Sequence, residues 1–451
     1  MSSTLHYPPG LSSKPLWGNF WLFRRDSIGF LTEAAKKYGD ICYLNLGPAE
    51  FFLVNHPDYI KEILVTQQKN FGKGRGLQRA KLFLGEGLLT SEGEFHRRQR
   101  RLAQPAFHRQ RIASYGNVMV DYAERMRDSW QSGTTIDIAD EMMKVTMFIV
   151  AKTLFDANVE GQASEIGQSL TALVHAFNFI LIPFTELLDK LPFPVPGLNR
   201  LQKAKERLDV LIYQIIEDRR RSGEDRGDLL SMLLLAQDEE GTGGMTDLQL
   251  RDELMTIFLA GHETTANALT WTWYLLSQHP NIEAKMWTEI DALGDRQPTA
   301  DDLPNLKYTE MVLAESMRLY PPAWTIARRA LTDFEIAGYT LPANSIIFIS
   351  QFVTHHDERF FPDPYKFDPM RWTQEEIAKR PKFSYYPFGG GARVCIGESF
   401  AWMEGVLLLV TFAQKWRLKL APNHVVVPQT LITLRPKYGM KMIVEQRIKK
   451  G

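Results

Sequence analysis

Cysteine is nearly absent from this sequence: Cys42 and Cys395 are the two thiols among 451 residues. Two cysteines cannot form a disulfide framework, and although one pair is possible, a reducing compartment fits the composition better. The first ten residues lack the basic start, apolar run and cleavage site of a signal peptide. The longest apolar runs, such as 146–151 and 405–413, are far shorter than the roughly 20 residues that span a bilayer. We therefore expect a cytoplasmic protein without a transmembrane anchor.

An excess of either charge is also absent. The 53 basic and 53 acidic residues cancel, so the composition gives no reason to expect nucleic acid or an anionic membrane as a partner. With 44% hydrophobic and 24% charged residues, the chain is typical of a globular protein. Its length allows two or three domains, and we expect residues 1–451 to form a single domain.

Helical periodicity dominates the first two thirds of the chain. We expect helices over residues 57–320 and 396–416, and a smaller β region built from 41–55, 322–355 and 417–444, where β-branched residues cluster. The longest predicted helix follows Thr246, whose spacing to Gln249 predicts a capping box, and it ends before His279-Pro280. At roughly 1.5 Å per residue it would be about 50 Å long. The sequence therefore predicts a mainly α fold with a smaller β region.

An unusual cluster of glycines surrounds Cys395. Residues 388–397 read Phe-Gly-Gly-Gly-Ala-Arg-Val-Cys-Ile-Gly and lead directly into the apolar segment 398–416. Consecutive glycines allow positive φ values and a close approach of the backbone to a flat ligand. A thiolate at a helix N-terminus is stabilised by the helix dipole, and coordination to a metal removes the thiol proton. A free cysteine taken alone is most often a small buried hydrophobic residue, which is our interpretation of Cys42.

The spacing around Cys395 resembles that of a known family. Phe388, Gly391, Arg393, Cys395 and Gly397 match the pattern Phe-x-x-Gly-x-Arg-x-Cys-x-Gly, which resembles the haem-ligand loop of the cytochrome P-450 family. The resemblance implies haem b as cofactor, with the Cys395 thiolate as axial ligand of the iron. It also implies a triangular-prism fold, in which the haem lies between a long central helix and the helix after Cys395. The loop residues that it places at the cofactor are Phe388, Gly389, Arg393 and Gly397.

The long predicted helix contains a weak point at residues 260–265, which read Ala-Gly-His-Glu-Thr-Thr. A mid-helix glycine costs roughly 1 kcal/mol, and threonine hydroxyls compete for backbone carbonyls. One interpretation is a packing glycine whose polar neighbours face solvent. The segment is also similar to the family motif Ala/Gly-Gly-x-Asp/Glu-Thr, at which the helix opens over the iron. By that resemblance Ala260 and Gly261 face the cofactor, Glu263 relays protons and Thr264 hydrogen-bonds dioxygen.

A basic segment contains His96 and Arg100, which lie four residues apart on one helical face. Taken alone, such a run of charge is usually a solvated surface. The resemblance implies instead that both side chains are directed at a haem propionate, with His96 in place of the commoner tryptophan. The neighbouring Arg97, Arg98 and Arg101 would face an acidic electron donor.

The strand that follows residues 320–322 is implied to supply a further propionate ligand. Arg328 is the first choice and Arg329 the alternative, although either could face solvent, as arginines usually do. We expect the substrate pocket to include a loop at 74–89 and the apolar stretch 172–184. The individual residues predicted to line the pocket are Phe177, Ala323, Trp324, Thr325, Ile326 and Leu431.

Glu315 and Arg318 lie one helical turn apart. Taken alone they would form an ordinary surface ion pair, worth at most about half a kcal/mol. Downstream, residues 368–372 read Asp-Pro-Met-Arg-Trp and resemble the family segment whose arginine completes a structural triad. The resemblance therefore assigns Glu315, Arg318 and Arg371 to holding the haem-side core.

Together these motifs imply a haem-thiolate monooxygenase. It would insert one atom of dioxygen into a lipophilic substrate, such as a fatty acid, a terpenoid or a steroid, and reduce the other atom to water. Two electrons would come from a separate ferredoxin, flavodoxin or diflavin reductase, because the short β-rich tail leaves no room for a redox module. Two alternatives stay open: a hydrogen-peroxide-dependent peroxygenase, which usually lacks the acid and alcohol pair, and a non-enzymatic haem-thiolate sensor.

Overall fold

The computed structural model describes residues 6–11, 19–47, 50–180, 196–235 and 244–447, without the side chains at 109–110, 175–180 and 196–200. None of the helices in these ranges is long and apolar enough to cross a membrane. The described α-helices are α1 (Phe20–Arg25), α2 (Ser27–Tyr38), α3 (Pro57–Lys61), α4 (Arg75–Leu84), α5 (Gly93–Ala103), α6 (Arg109–Ser129), α7 (Ile138–Phe155), α8 (Ala163–Ile180), α9 (Pro196–Ser222), α10 (Leu229–Leu235), α11 (Asp247–Gln278), α12 (Pro280–Asp291), α13 (Lys307–Leu319), α14 (Gln351–His355), α15 (Gln374–Ala378) and α16 (Glu398–Ala413).

The strands form several small sheets beside this helical body. They are β1 (Ile41–Tyr43), β2 (Phe51–Val54), β3 (Phe71–Lys73), β4 (Thr135–Asp137), β5 (Ile326–Ala330), β6 (Phe334–Ile336), β7 (Tyr339–Leu341), β8 (Ile346–Ile349), β9 (Trp416–Leu420), β10 (Pro428–Thr430), β11 (Leu434–Pro436) and β12 (Lys441–Gln446). One sheet has the order β1-β2-β8-β5-β3, with β2 and β8 parallel and its other pairs antiparallel. A second has the order β4-β12-β9, and β6–β7 and β10–β11 are two-stranded. The predicted mainly α fold with a smaller β region is confirmed.

Two short strands, β3 and β4, lie inside the segment 57–320 that the sequence predicts to be mostly helical. In β3, Phe71 lies opposite Ala330 of β5, and in β4, Thr135 lies opposite Ile443 of β12. Three residues are too few to show the alternation that reveals a strand. These strands form because distant segments supply their hydrogen-bond partners. Conversely, residues 351–355 of the predicted β region form helix α14.

Helix α11, hereafter the central helix, runs through the core as predicted. The backbone N–H of Gln249 donates to Thr246 Oγ1 (3.2 Å), and the N–H of Thr246 donates to Gln249 Oε1 (2.8 Å). This reciprocal pair is the predicted capping box. All residues from Leu250 to Leu259 are buried, which is typical of a helix enclosed by other elements rather than one at the surface. The helix is continuous through residues 260–265, so the opening implied by the resemblance does not interrupt it.

Helix α16, hereafter the cysteine helix, follows Cys395 and is buried from Met403 to Ala413. The predicted helix extends to residue 416, but the chain leaves the helix after Ala413 because Trp416 begins β9, which pairs with β12. The cysteine helix packs against the central helix, α6 and α13. A Cβ atom on Gly405 would lie 2.6 Å from Leu313 Cδ2, so this glycine is what allows α13 to approach.

A buried ion-pair network joins α13 to the segment that follows α14. Arg318 donates through Nε and Nη2 to the two carboxylate oxygens of Glu315, each at 2.9 Å. Arg371 Nε lies 3.3 Å from Glu315 Oε1, and Trp372 Nε1 donates to Glu315 Oε2 at 3.0 Å. The structure therefore brings Glu315, Arg318 and Arg371 together. Both members of the Glu315–Arg318 pair are fully buried, so the alternative of a surface ion pair is wrong.

Arg318 also fixes the backbone of this segment directly. Its Nη1 donates to the carbonyl oxygens of His355 (2.8 Å) and Pro364 (2.7 Å). A guanidinium carries five donors in a planar fork. One buried arginine thereby holds the carboxylate of Glu315, the last carbonyl of α14 and a loop carbonyl in a single arrangement.

We expect Glu315→Ala to lower the free energy of unfolding by about 3–5 kcal/mol, because it leaves the Arg318 guanidinium buried without its carboxylate partner. Chemical denaturation followed by circular dichroism measures the loss. Glu310→Ala is the matched control, since Glu310 lies on the same helix in a solvent-accessible pair with Lys307 and should cost less than about 1 kcal/mol. Equal losses in the two variants would contradict the structural role of the network.

Candidate functional site

A cavity of about 1630 Å³ is lined by both the central helix and the loop that precedes the cysteine helix. Ala260, Gly261 and Thr264 keep accessible surface although their helical neighbours are buried, and all three contribute to the cavity wall. Cys395 contributes to the same wall. The 260–265 motif and the cysteine loop therefore face a shared space, which is large enough for a cofactor and a small-molecule ligand.

The loop around Cys395 is closed by its own backbone. The N–H of Cys395 donates to the carbonyl of Phe388 at 3.0 Å. Gly389 and Gly391 have φ values of 74° and 69°, a region that favours glycine. A Cβ atom on Gly391 would lie 1.9 Å from the carbonyl oxygen of Leu64. The predicted positive φ values are confirmed, but Gly391 is required by a contact within the protein rather than by a flat ligand.

Cys395 lines the cavity and its side chain is exposed there. Burial raises the pKa of the Cys395 thiol, and the nearby Glu398 raises it further, while a hydrogen bond from the Gly397 N–H and the charge of Arg100 lower it. Burial is the largest of these effects. Coordination to a metal cation in the cavity would remove the thiol proton.

Buried basic side chains gather beside the cavity. Lys73 is 7% exposed, Arg328 9% and His96 4%, with the partly buried Arg393 next to them. Desolvation and then the neighbouring positive charges lower the pKa of Lys73 well below its usual value, that of Arg328 to about 10 and that of His96 to about 3. Among the described residues, Glu92 is the acidic group that acts on Lys73, Arg328 and Arg393. This cluster, the basic cluster, favours binding of an anion.

Arg328 and Arg329 point in different directions. Arg328 contributes to the cavity wall, and its Nη1 donates to the carbonyl of Ala327 at 3.2 Å. Arg329 Nη1 donates to Asn344 Oδ1 (3.1 Å) in an exposed contact. Successive side chains of a strand face opposite sides of the sheet, so only one of the two can face the cavity. The geometry favours Arg328, the first choice from the sequence.

Two further arginines hold the cysteine loop. Arg393 Nη1 donates to the carbonyl of Ser91 (2.7 Å), and Arg100 Nη1 donates to the carbonyl of Val394 (2.8 Å). Arg393 contributes to the cavity wall, whereas His96 and Arg100 are not among its described lining residues. The structure thus places His96 in the basic cluster and Arg100 behind the loop. Their contact with a propionate stays a prediction.

Sequence reasoning missed Lys73. The residue lies in β3, within the segment assigned to helices, where a three-residue strand leaves no periodic signal. The available signal is the run Gly72-Lys73-Gly74, which directly follows Phe71. In the structure its side chain joins the basic cluster and lines the cavity. A thiol ligand together with buried cations fits a metal-centred cofactor that carries carboxylates, as haem does.

Glu263 and Thr264 have different surroundings. Glu263 is 4% exposed, and its Oε1 accepts a hydrogen bond from Thr433 Oγ1 at 2.6 Å. Burial raises the pKa of Glu263, although the hydrogen bond from Thr433 and the charge of Arg435 oppose the rise. Thr264 Oγ1 donates to the carbonyl of Ala260 at 2.9 Å. A buried acid therefore lies beside an alcohol that faces the cavity.

Gly261 serves packing as well as the cavity. A Cβ atom at this position would lie 3.0 Å from Val150 Cγ2 of α7, so the glycine allows close packing of the two helices. Its polar neighbours do not face solvent: His262, Glu263 and Thr265 are buried. The packing interpretation of Gly261 holds in part, and the interpretation of solvated neighbours is wrong.

Much of the remaining wall is apolar. The predicted lining residues that the structure places there are Ala323, Trp324, Thr325, Ile326 and Leu431. Phe177 lies in α8, but its side chain is outside the description, as are residues 181–184 of the predicted stretch 172–184. Segment 74–89 contributes Leu77 and Leu89 together with Arg75, Gly76 and Arg79, although most of it is helix α4 rather than a loop. Val150, Leu154 and Phe348 also line the cavity; their sequence pattern is that of ordinary core positions.

Comparison with known proteins places the chain in a defined family. The family model for cytochrome P-450 matches residues 8–443. Cyclooctatin synthase of Streptomyces melanosporofaciens is 40% identical over 98% of this chain and 95% of its own length. Cyclooctat-9-en-7-ol 5-monooxygenase of the same species is 37% identical over 91% and 89%. Pentalenene oxygenase of Streptomyces avermitilis is 35% identical over 93% of each.

Solved structures agree with the sequence relatives. The haem domain of cytochrome P450DA superposes with a TM-score of 0.88 at 25% identity and covers 98% of both chains. Cyanobacterial CYP120A1 with retinoic acid bound has a TM-score of 0.87 at 25% identity, covering 98% of this chain and 100% of that one. The likeness extends over almost the whole fold.

We expect Lys73→Met to raise the free energy of unfolding by roughly 1–3 kcal/mol near pH 7 in protein prepared free of bound anions, because it removes a poorly solvated cation from the basic cluster. The lowered pKa of Lys73 means that the unfolded chain binds the proton more strongly than the folded one. Stability of the parent protein should therefore rise with pH between the lowered pKa of Lys73 and the ordinary pKa of lysine, and the variant should flatten that rise.

Denaturation curves at several pH values measure both effects. Lys69→Met, at an exposed position four residues earlier, is the matched control. A steeper pH dependence in Lys73→Met than in the parent would contradict the electrostatic description of the cluster.

Proposed function

The chain belongs to the cytochrome P-450 family and is a haem-thiolate monooxygenase with haem b, and we propose that it inserts one atom of dioxygen into a terpenoid. The observation that carries the proposal is the large cavity, lined by the Cys395 thiol at one place and by mainly aliphatic and aromatic side chains elsewhere. A terpenoid hydrocarbon matches such a wall because it offers apolar surface and few hydrogen-bonding groups.

The cofactor would be held by a thiol at its iron and by basic side chains at its propionates. Cys395 would bind the iron, and Arg328, Arg393 and Lys73 would neutralise the propionates, which supply the negative charge that the basic cluster lacks. His96 and Arg100 are proposed to support the same propionates. When bound, haem supplies the activation of dioxygen, to which a thiolate ligand contributes electron density that favours O–O cleavage.

Proton delivery would depend on Glu263 and Thr264. The Glu263 carboxyl is buried. Because burial disfavours the charged form, this group can hold a proton on a carboxyl oxygen and pass it on. Thr264 lines the cavity, and its hydroxyl would hydrogen-bond dioxygen after turning away from the Ala260 carbonyl to which it now donates. A positioned acid of this kind typically contributes about 10² to 10⁴ in rate. This pair supports the monooxygenase over the peroxygenase alternative.

The substrate class follows from the wall and the relatives together. Val150, Leu154, Ile257, Phe348 and Leu431 line the cavity, which suits fatty acids, steroids and terpenoids alike. Three relatives at 35–40% identity, named for cyclooctatin, cyclooctat-9-en-7-ol and pentalenene, support the terpenoid among these.

A ferredoxin, flavodoxin or diflavin reductase stays the predicted electron donor. Arg97 and Arg101 are exposed on α5, the helix whose buried face carries His96, and this surface suits an acidic partner. Arg98 is partly buried and is a weaker candidate for such a contact. We further propose that the chain is a single domain, supported by one family model that spans residues 8–443. A cytoplasmic location stays a prediction from the sequence.

We expect terpenoids to displace the water at the haem and shift its absorption band, with dissociation constants of about 1–100 μM, because the apolar cavity supplies most of the binding free energy. The holoprotein, checked for the thiolate-type band of its reduced carbon monoxide complex, is titrated with cyclooctat-9-en-7-ol and pentalenene. Palmitic acid and testosterone are the comparison ligands. Tighter binding of either comparison ligand, or no shift with both terpenoids, would contradict the proposed substrate class.

We expect Thr264→Ala to raise the fraction of reductant that ends as hydrogen peroxide by roughly threefold to tenfold, because the variant loses the alcohol that directs a proton. Terpenoid binding should change little. Peroxide, product and consumed NAD(P)H are measured together in the presence of a redox partner. Thr272→Ala is the control, since Thr272 makes the same type of hydrogen bond to the carbonyl four residues earlier (2.7 Å) and is fully buried. Unchanged coupling in Thr264→Ala would remove Thr264 from the mechanism.

A further inference from the structure

One stripe of the central helix is attached to the β10–β11 hairpin. Glu263, Asn267 and Trp271 are spaced four residues apart, so they lie on one helical face. Glu263 Oε1 accepts a hydrogen bond from Thr433 Oγ1 (2.6 Å), Asn267 Nδ2 donates to the same Oγ1 (3.2 Å), and Trp271 Nε1 donates to the carbonyl of Leu434 (3.0 Å). Three successive turns of the helix thus contact two adjacent residues of the hairpin.

The direction of these bonds follows from the donors and acceptors. A threonine hydroxyl has one proton and two acceptor lone pairs. The Nδ2 group of Asn267 has only protons to offer, so Thr433 Oγ1 accepts this hydrogen bond. The hydroxyl proton of Thr433 is then left to point at Glu263. The exposed fractions of Thr433, Asn267 and Glu263 are 4%, 1% and 4%. Bulk water therefore does not compete for the Glu263 carboxylate at this position, and the orientation is set by the protein.

The same hairpin forms part of the cavity wall. Leu431 and Ile432, at the turn between its strands, line the cavity. Trp324 Nε1 donates to the carbonyl of Leu431 (3.0 Å), and the N–H of Leu434 donates to the carbonyl of Pro322 (2.9 Å). Thr433 lies between these two anchored residues. A ligand that contacts Leu431 therefore contacts the segment that positions Glu263.

We propose that Thr433 is a positioning residue for proton delivery: its hydroxyl holds the Glu263 carboxylate in the orientation from which it takes up and passes a proton, and it links that orientation to occupancy of the cavity. The inference rests on the proposed function, in which Glu263 relays protons. The hydroxyl remains neutral throughout. It donates a hydrogen bond to the ionised carboxylate, and the relayed proton is carried by Glu263 alone.

The electrostatics around Glu263 are consistent with this arrangement. Arg435 of β11 acts on the carboxylate, and together with the Thr433 hydrogen bond it opposes the rise in the pKa of Glu263 caused by burial. The adjacent His262 has its pKa lowered to about 4 by burial, so it is neutral at pH 7. Loss of the Thr433 hydroxyl should therefore raise the pKa of Glu263 further.

The test compares Thr433→Val with Thr433→Ser in the holoprotein. Valine keeps the shape but loses the hydroxyl, whereas serine keeps the hydroxyl. The protonated Glu263 carboxyl is followed by its infrared C=O band, assigned by its loss in Glu263→Gln, as a function of pH. We expect the titration midpoint to move to higher pH in Thr433→Val and to stay at the parent value in Thr433→Ser. Glu253 and Glu404, whose pKa values burial raises to about 8, provide internal reference bands.

A second readout is the coupling of reductant to product with cyclooctat-9-en-7-ol. We expect the coupled fraction to fall roughly threefold or more in Thr433→Val, with recovery in Thr433→Ser, because a displaced acid loses much of its contribution. Circular dichroism and haem content check folding. If Thr433→Val does not fold, Asn267→Leu, which removes the amide that orients the hydroxyl, should move the midpoint in the same direction.

Three outcomes would overturn this inference and leave the proposed function intact. The first is an unchanged titration midpoint of Glu263 in Thr433→Val, and the second is an equal shift of that midpoint in Thr433→Val and Thr433→Ser. The third is a shift of the Glu253 and Glu404 midpoints by the same amount as that of Glu263. Normal coupling in Glu263→Gln would instead refute the relay by Glu263, and with it both the corresponding part of the proposed function and this inference. Impaired Glu263→Gln with a fully coupled Thr433→Val would refute only the role of Thr433.

Discussion

The structure depends on a 32-residue helix that is buried along most of its length. Such a helix has little solvent to satisfy its polar side chains, so most of them depend on a partner within the protein. Thr270 and Thr272 donate to carbonyls of the preceding turn, whereas Asn267 donates to Thr433 of the hairpin. At Ala260 the helix presents a small side chain to the cavity, whereas at Gly261 the missing Cβ atom lets Val150 of α7 approach. The polar side chains of the helix thus fix the hairpin, and its small residues set how closely other elements approach.

The cavity is electrostatically incomplete without an anion. Burial of Lys73 and Arg328 beside the single carboxylate of Glu92 costs free energy that entry of negative charge would offset. Haem would bring that charge in its propionates, and its metal would meet the proposed ligand Cys395. Binding of such a cofactor would therefore stabilise the fold as well as the site. The Glu315 network is separate from this balance, because its charges are already paired.

The sequence predicted features that depend on neighbouring residues. The capping box at Thr246, the end of the central helix before His279 and the positive φ values in the cysteine loop all follow from local rules. The triad partners were found through a family motif, whereas their complete burial was not visible from a pair of charges one turn apart. Strands β3 and β4, and with them Lys73, were missed because their conformation comes from pairing with residues far along the chain.

By itself the sequence determined the residue types of the site and their order: a cysteine in a glycine-rich loop, an acid and an alcohol on a long helix, and arginines before and after them. Each of these signals is a short motif, and the resemblance to the cytochrome P-450 family is what assigned them to a site. Only the tertiary structure decided that Arg328 rather than Arg329 faces the cavity and that Lys73 lines the cavity as well. It also decided that Glu263 is held by Thr433, which lies 170 residues away, because a contact over that distance exists only once the hairpin has packed against the helix.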